Sequence, residues 1–112
     1  MRIANLTEFD FYPQLVQSPG VSLVLFSGPH CGTCRKAEIV LPQALAGRVE
    51  HLFKVDVEKS IALAREYEIF HLPALLLFVD GHFHAMIHSP LLPEKLRQAV
   101  DTALTLPAEE AP

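Results

Sequence analysis

Apolar and polar positions come in blocks along this chain, and the period changes from block to block. Residues 21–26 (Val-Ser-Leu-Val-Leu-Phe) are apolar except for Ser22, the pattern of a central strand covered on both faces. Residues 50–57 (Glu-His-Leu-Phe-Lys-Val-Asp-Val) read as a second buried strand. Residues 74–79 and 82–88 flank Asp80-Gly81, a two-residue hairpin signal, and residues 2–5 predict a short edge strand. Helical spacing fills the gaps. Residues 7–17 predict a helix with Thr7 as its N-cap and Glu8 and Asp10 in the first turn, although Pro13 lies inside it. Another helix starts near Cys31 and takes in the run from Arg35 to Ala46; Pro42 predicts a kink or an end, and Gly47 a C-terminal cap. Residues 59–68 pair Ile61 with Ala64 and Leu63 with Tyr67 at helical spacing. Pro93 suits the first turn of a final helix that runs to Leu104, with Leu96, Val100, Ala103 and Leu104 on one face.

Alternating β and α pieces predict an α/β fold, with a mixed sheet and helices on both faces. No repeat or second domain shows in the pattern. Residues 1–106 are expected to form one domain, and residues 107–112, all Ala, Glu and Pro, a disordered tail.

With 112 residues, half of them hydrophobic and 20% charged, the chain can fold by burial alone. Net charge is −4 and no run of Lys or Arg occurs, which argues against nucleic acid and anionic membrane as partners. The longest apolar run, Leu72 to Val79, is too short to span a bilayer. The first residues carry Glu8, Asp10, Pro13 and Pro19 and no apolar core of a signal peptide, so the expected location is the cytoplasm.

The chain has two cysteines, in Cys31-Gly32-Thr33-Cys34. Structural disulfides are rare in the cytosol, so a close pair there points to catalysis or metal binding. A C-x-x-C that opens a helix behind a buried strand reads as a redox-active dithiol. Half a zinc site is the rival reading; such a site needs about four ligands, and no further cysteine exists, so it would take a His/Cys mixture such as one with His30. Arg35 follows Cys34 where haem attachment needs a histidine.

The element order, with the dithiol after the second strand, resembles the thioredoxin family over nearly the whole chain. Four features carry the resemblance: the strand leading into Cys31-Gly32-Thr33-Cys34, Lys54 on the next strand, the Leu72-Pro73 step before Ala74-Leu75-Leu76-Leu77-Phe78, and the Asp80-Gly81 hairpin. The resemblance implies a thioredoxin fold with a central mixed sheet of four to five strands. It implies a cis peptide at Pro73 lying against the dithiol, with Leu72 offering backbone groups to an extended substrate segment. The implied activity is thiol–disulfide exchange with protein disulfides by a monomer that needs no metal or bound cofactor. A reductase or oxidase would recycle it, within cellular redox homeostasis.

Helix physics divides the work between the sulfurs. Cys31, at the helix start, meets free N–H groups and the positive end of the macrodipole, which stabilise a thiolate. Cys34, one turn on, is expected to be buried and to resolve the mixed disulfide. Gly32 leaves room for a substrate chain. Thr33 stands where many thioredoxins have proline and is expected to make the couple less reducing, or merely to cap the turn. His30, His71 and His88 align around the dithiol, and a cationic His30 would favour the Cys31 thiolate. The rival expectations are three solvated histidines or a metal site. His82, His84 and His88 share a face if residues 82–88 form a regular strand.

Departures from the family pattern sharpen the question. Its buried aspartate falls on Leu25, so Lys54 loses a carboxylate partner and is expected to snorkel, to pair with a carboxylate such as Glu58, or to titrate low. Its tryptophans before the dithiol fall on Ser27 and His30, and its groove glycine on Ser89. These losses leave a second expectation open: a thioredoxin-like binding or assembly-chaperone module with little turnover.

Overall fold

The computed structural model describes residues 1–112. Its elements are β1 (Ile3–Leu6), α1 (Phe11–Val16), β2 (Val21–Ser27), α2 (Gly32–Ala44), β3 (His51–Asp56), α3 (Ile61–Glu66), β4 (Ala74–Val79), β5 (His82–Ile87) and α4 (Pro93–Thr105). The strands form one sheet in the order β1-β3-β2-β4-β5. β3 pairs in parallel with β1 and β2, and β4 pairs antiparallel with β2 and β5. This is the mixed α/β sheet that the pattern predicts, in the arrangement that the resemblance implies. β2 lies at the centre, which explains its nearly unbroken apolar run.

Alternation along the strands sends side chains to two separate cores. Leu23, Leu25, Leu52, Leu75 and Leu77 pack with Ala37 and Leu41 of α2 and with Leu96 and Val100 of α4. Val24, Phe26, Val55, Leu76 and Phe78 pack with Phe11 and Leu15 of α1 and with Leu63 and Tyr67 at α3. Helices therefore cover both faces. No helix is long and apolar enough to cross a membrane.

Element ends depart from expectation for local reasons. α1 starts at Phe11, because residues 7–10 form a turn in which Asp10 Oδ1 accepts the Thr7 N–H at 2.7 Å. Asp10 thus reaches back to Thr7, and Thr7 is not the cap. Pro13 falls in the first helical turn, where a missing N–H breaks no helical bond. Pro42 lies inside α2, which ends soon after at Ala44; Leu45 is its cap, and Gly47 (φ +82°) turns the chain beyond it. α3 stops at Glu66, before the left-handed Glu68 (φ 53°). At the hairpin, Asp80 (φ 50°) and Gly81 (φ 83°) both have positive φ, as a type I′ turn requires. A Cβ on Gly81 would lie 2.9 Å from Val16 Cα, so the turn also packs against the end of α1.

β5 is not regular. Leu77 faces Ala85 while Phe78 faces Phe83, which leaves His84 as the extra residue of a bulge. The bulge breaks the alternation that would put His82, His84 and His88 on one face. His84 Nε2 instead lies 2.7 Å from the Ala103 carbonyl of α4. The tail, expected to be disordered, runs along this edge strand. Glu109 N–H donates to His84 O at 2.7 Å, and Glu109 Oε1 accepts the Met86 N–H at 3.0 Å. An edge strand has unpaired backbone groups, and these take up the tail.

Candidate active site

β2 ends at Ser27, and Gly28, Pro29 and His30 carry the chain to the mouth of α2. Cys31 is the N-cap of α2, with extended backbone (φ −120°, ψ 103°). Its Sγ accepts the Cys34 N–H at 3.1 Å. Cys34 lies one turn in and is fully buried, whereas Cys31 is half-buried at the rim. The two form a disulfide, with Cα atoms 5.2 Å apart. A sulfur at this position meets unpaired N–H groups and the positive helix end, both of which favour its thiolate. Gly32 is exposed, and a Cβ there would meet nothing within 4 Å. Thr33 is exposed in the first turn; the cap is Cys31, so Thr33 does not cap it.

The segment before β4 closes over the same end of the sheet. The Leu72–Pro73 peptide is cis. Leu72 Cδ1 lies 3.0 Å from where a Gly28 Cβ would stand, so the Leu72 side chain packs tightly over Gly28. A groove of about 260 Å³ runs alongside, lined by Ile69, Phe70, His71, Pro73, Met86 and His88 among others. Thr33, Pro73, His88 and Pro90 line a neighbouring depression. Pro73 and His88 therefore join the dithiol's helix to the groove, and His71 joins them from the other side. Phe70, which the sequence pattern did not single out, is 81% exposed at the groove. His30 is exposed next to Cys31 and lines neither depression.

Beneath α2 the charge arrangement differs from expectation. Lys54 lies opposite Leu25 in the β2–β3 register, and Leu25 is fully buried. Lys54 Nζ is 2.5 Å from Glu38 Oε1. Arg35 Nε is 2.5 Å from the other oxygen, Glu38 Oε2. Arg35 Nη2 also donates to Ser27 Oγ at 2.7 Å and to Gly28 O at 3.0 Å. The partner of Lys54 is thus Glu38, not Glu58. Strand alternation explains this: Lys54 shares the side of Leu52, the side covered by α2, whereas Glu58 is exposed beyond the end of β3. Sequence reasoning missed Arg35, Glu38 and Ser27. The i, i+3 spacing of Arg35 and Glu38 was the available signal. No group of three or more His, Cys, Asp or Glu side chains is arranged to hold a metal ion.

On the opposite face, Tyr67 packs among Phe11, Phe26, Phe78 and Phe83. Burial, with a smaller contribution from the Glu66 carboxylate, pushes its phenol up to about 12. Tyr12 hydroxyl bonds to Glu66 and lies 3.2 Å from the Tyr67 hydroxyl.

Comparison with known proteins agrees with this geometry. Thioredoxin of Staphylococcus epidermidis is 34% identical over 84 residues, which covers 72% of this chain and 78% of the relative. Thioredoxin of Staphylococcus aureus is 33% identical over 84 residues with the same coverage. Among solved structures, the zinc-bound form of human ERp44 superposes with a TM-score of 0.78 over 90% of this chain. At 19% identity that likeness concerns the fold, and this chain spans only 32% of the ERp44 chain. Residues 2–102 match the family model described as Thioredoxin. A match of that extent, built around a cysteine pair that opens a helix, makes the chain a member of the thioredoxin family.

Proposed function

We propose that the chain is a thiol–disulfide oxidoreductase that exchanges its Cys31/Cys34 pair with disulfides of protein substrates. The carrying observation is the asymmetry of the pair: Cys31 caps α2 at the rim and Cys34 is buried one turn behind it. In the reducing direction, the Cys31 thiolate attacks one sulfur of a substrate disulfide. That S–S bond breaks, one substrate thiolate leaves, and a Cys31 mixed disulfide forms. Cys34 loses its proton and attacks the Cys31 sulfur. The mixed bond breaks, the second substrate thiolate leaves, and Cys31–Cys34 is oxidised by two electrons. A second protein, a reductase or an oxidase according to direction, returns the pair to its starting state.

The substrate chain would lie across Gly32 and the groove beside Pro73, with Leu72, His71 and His88 at its borders. Thr33, His30 and Lys54 would support the dithiol. The chain would act as a monomer in the cytoplasm, without a cofactor. Buried Leu25, which cannot take a proton from Cys34, favours a second reading: a binding module in which the groove holds a partner and turnover is slow. Assay of a protein disulfide with a recycling reductant decides between them. Multiple turnovers that vanish in Cys31→Ser support the oxidoreductase; binding with no turnover supports the module.

A further inference from the structure

Glu38 is the one carboxylate in an ion cluster at the dithiol end of α2. Both of its oxygens are engaged, one by Lys54 Nζ and one by Arg35 Nε, each at 2.5 Å. The Lys54–Glu38 half of the cluster is shielded, with side chains 27% and 20% exposed, whereas the Arg35 side chain is 49% exposed. Leu25, Ala37 and Leu41 form the apolar floor of the same face. Charges in such a place interact more strongly than charges on an open surface. Glu38 follows Cys34 by one helical turn, a rise of about 5–6 Å. Arg35 follows Cys34 directly and is tied to Ser27 Oγ at the end of β2 and to Gly28 O in the loop that delivers Cys31. Other ionisable groups at this end include His30 and Lys36, both exposed, and Asp56, whose Oδ1 accepts the Glu58 N–H at 2.9 Å.

We infer that Glu38 is a positioning residue that sets the reduction potential of the Cys31–Cys34 couple by offsetting one of the two positive charges of Arg35 and Lys54. The charge arithmetic gives the sign. Arg35, Glu38 and Lys54 together carry a single positive charge. Without the carboxylate the cluster carries two, which stabilises a nearby thiolate and hence the reduced pair. Without the ammonium the cluster is neutral, and the reduced pair loses that support. Glu38 therefore keeps the couple more reducing than its two cations alone would, and Lys54 opposes it. The inference rests on the reading of the pair as a redox couple.

The test equilibrates wild type, Glu38→Gln, Lys54→Met and Glu38→Asp with glutathione redox buffers at pH 7 and measures the oxidised fraction. Glu38→Gln is expected to shift the equilibrium about tenfold toward the dithiol, which is ~30 mV for two electrons. Lys54→Met is expected to shift it toward the disulfide, and Glu38→Asp, which keeps the charge, to stay near wild type. Lost packing alone has no reason to give opposite signs in the first two and rescue in the third. Equal signs, or no shift in either, would overturn the role given to Glu38. If Glu38→Gln does not fold, Lys54→Met decides: a shift toward the disulfide supports the inference, and any other result overturns it. A wild-type pair that never cycles would overturn the redox reading itself, whereas a cycling wild type with flat variants would overturn this inference alone.

Discussion

The two faces of the sheet are built from different side chains. Beneath α1 and α3 the core is aromatic, with Phe11 ring centroids 6.3 Å from Phe26, 5.8 Å from Tyr67 and 5.7 Å from Phe78. Beneath α2 and α4 it is aliphatic, made of Leu, Ala, Val and Ile, and at one end it admits the Lys54–Glu38 ion pair. The dithiol belongs to the second face, because α2 carries it. The aromatic face thus has room to be a pure packing device, while the aliphatic face must hold a reactive pair and a charge cluster beside it. Edge-to-face rings add to the area they bury. The difference teaches that stability and redox chemistry should respond to different substitutions in this molecule.

The largest expected effect is on the aromatic face. Phe11→Ala removes a fully buried ring and should cost about 3–5 kcal/mol in chemical denaturation. The reduction potential of the variant that remains folded should match wild type. A potential that moves along with stability would break the separation of the two faces.

Leu25→Asp should act on both quantities. It buries a carboxylate in the aliphatic face opposite Lys54, at a cost in stability. It should also speed release of the mixed disulfide several-fold near neutral pH, by giving Cys34 a proton acceptor. Stopped-flow turnover of a folded variant checks this, and an unchanged or slower rate would count against a resolving step limited by Cys34 deprotonation.

Tyr67 offers a pH test confined to the aromatic face. Its phenol is raised to about 12 in the folded protein, against about 10 in an unfolded chain. Between those values the folded state holds a proton that the unfolded state has lost, so stability falls as pH rises. The contribution is complete below pH 10 and gone above about 12. Denaturation curves at pH 9, 10 and 11 should show this loss, and Tyr67→Phe should flatten it.

The smallest expected effect is at His30. His30→Ala should weaken the Cys31 thiolate only slightly, because His30 is exposed. Superimposable thiolate-absorbance titrations of wild type and variant would leave His30 with no part in tuning the site.

Much of this is legible in the sequence. Residues 21–26 read as a central strand because they are apolar except for Ser22, and Asp80-Gly81 reads as a tight hairpin because positive φ at both positions favours those residue types. The cysteine pair reads as a helix opening because strand, loop and helical spacing follow in order. What stayed hidden depends on facts outside the local pattern. The His84 bulge depends on how β5 is seated against β4 and α4, which alternation does not encode. The partner of Lys54 depends on which helix covers its side of the sheet, so Glu38 was invisible until α2 was in place. The tail looked featureless because its attachment is to an edge strand distant in sequence.

The central claim is the division of labour between a capping Cys31 and a buried Cys34. Its most direct test reduces the protein, presents a protein disulfide, and compares Cys34→Ser with Cys31→Ser on a non-reducing gel with mass identification of the linked residue. The account predicts that Cys34→Ser accumulates a mixed disulfide through Cys31 and that Cys31→Ser accumulates none. Trapping through Cys34 in the Cys31→Ser variant, with none in Cys34→Ser, would contradict it.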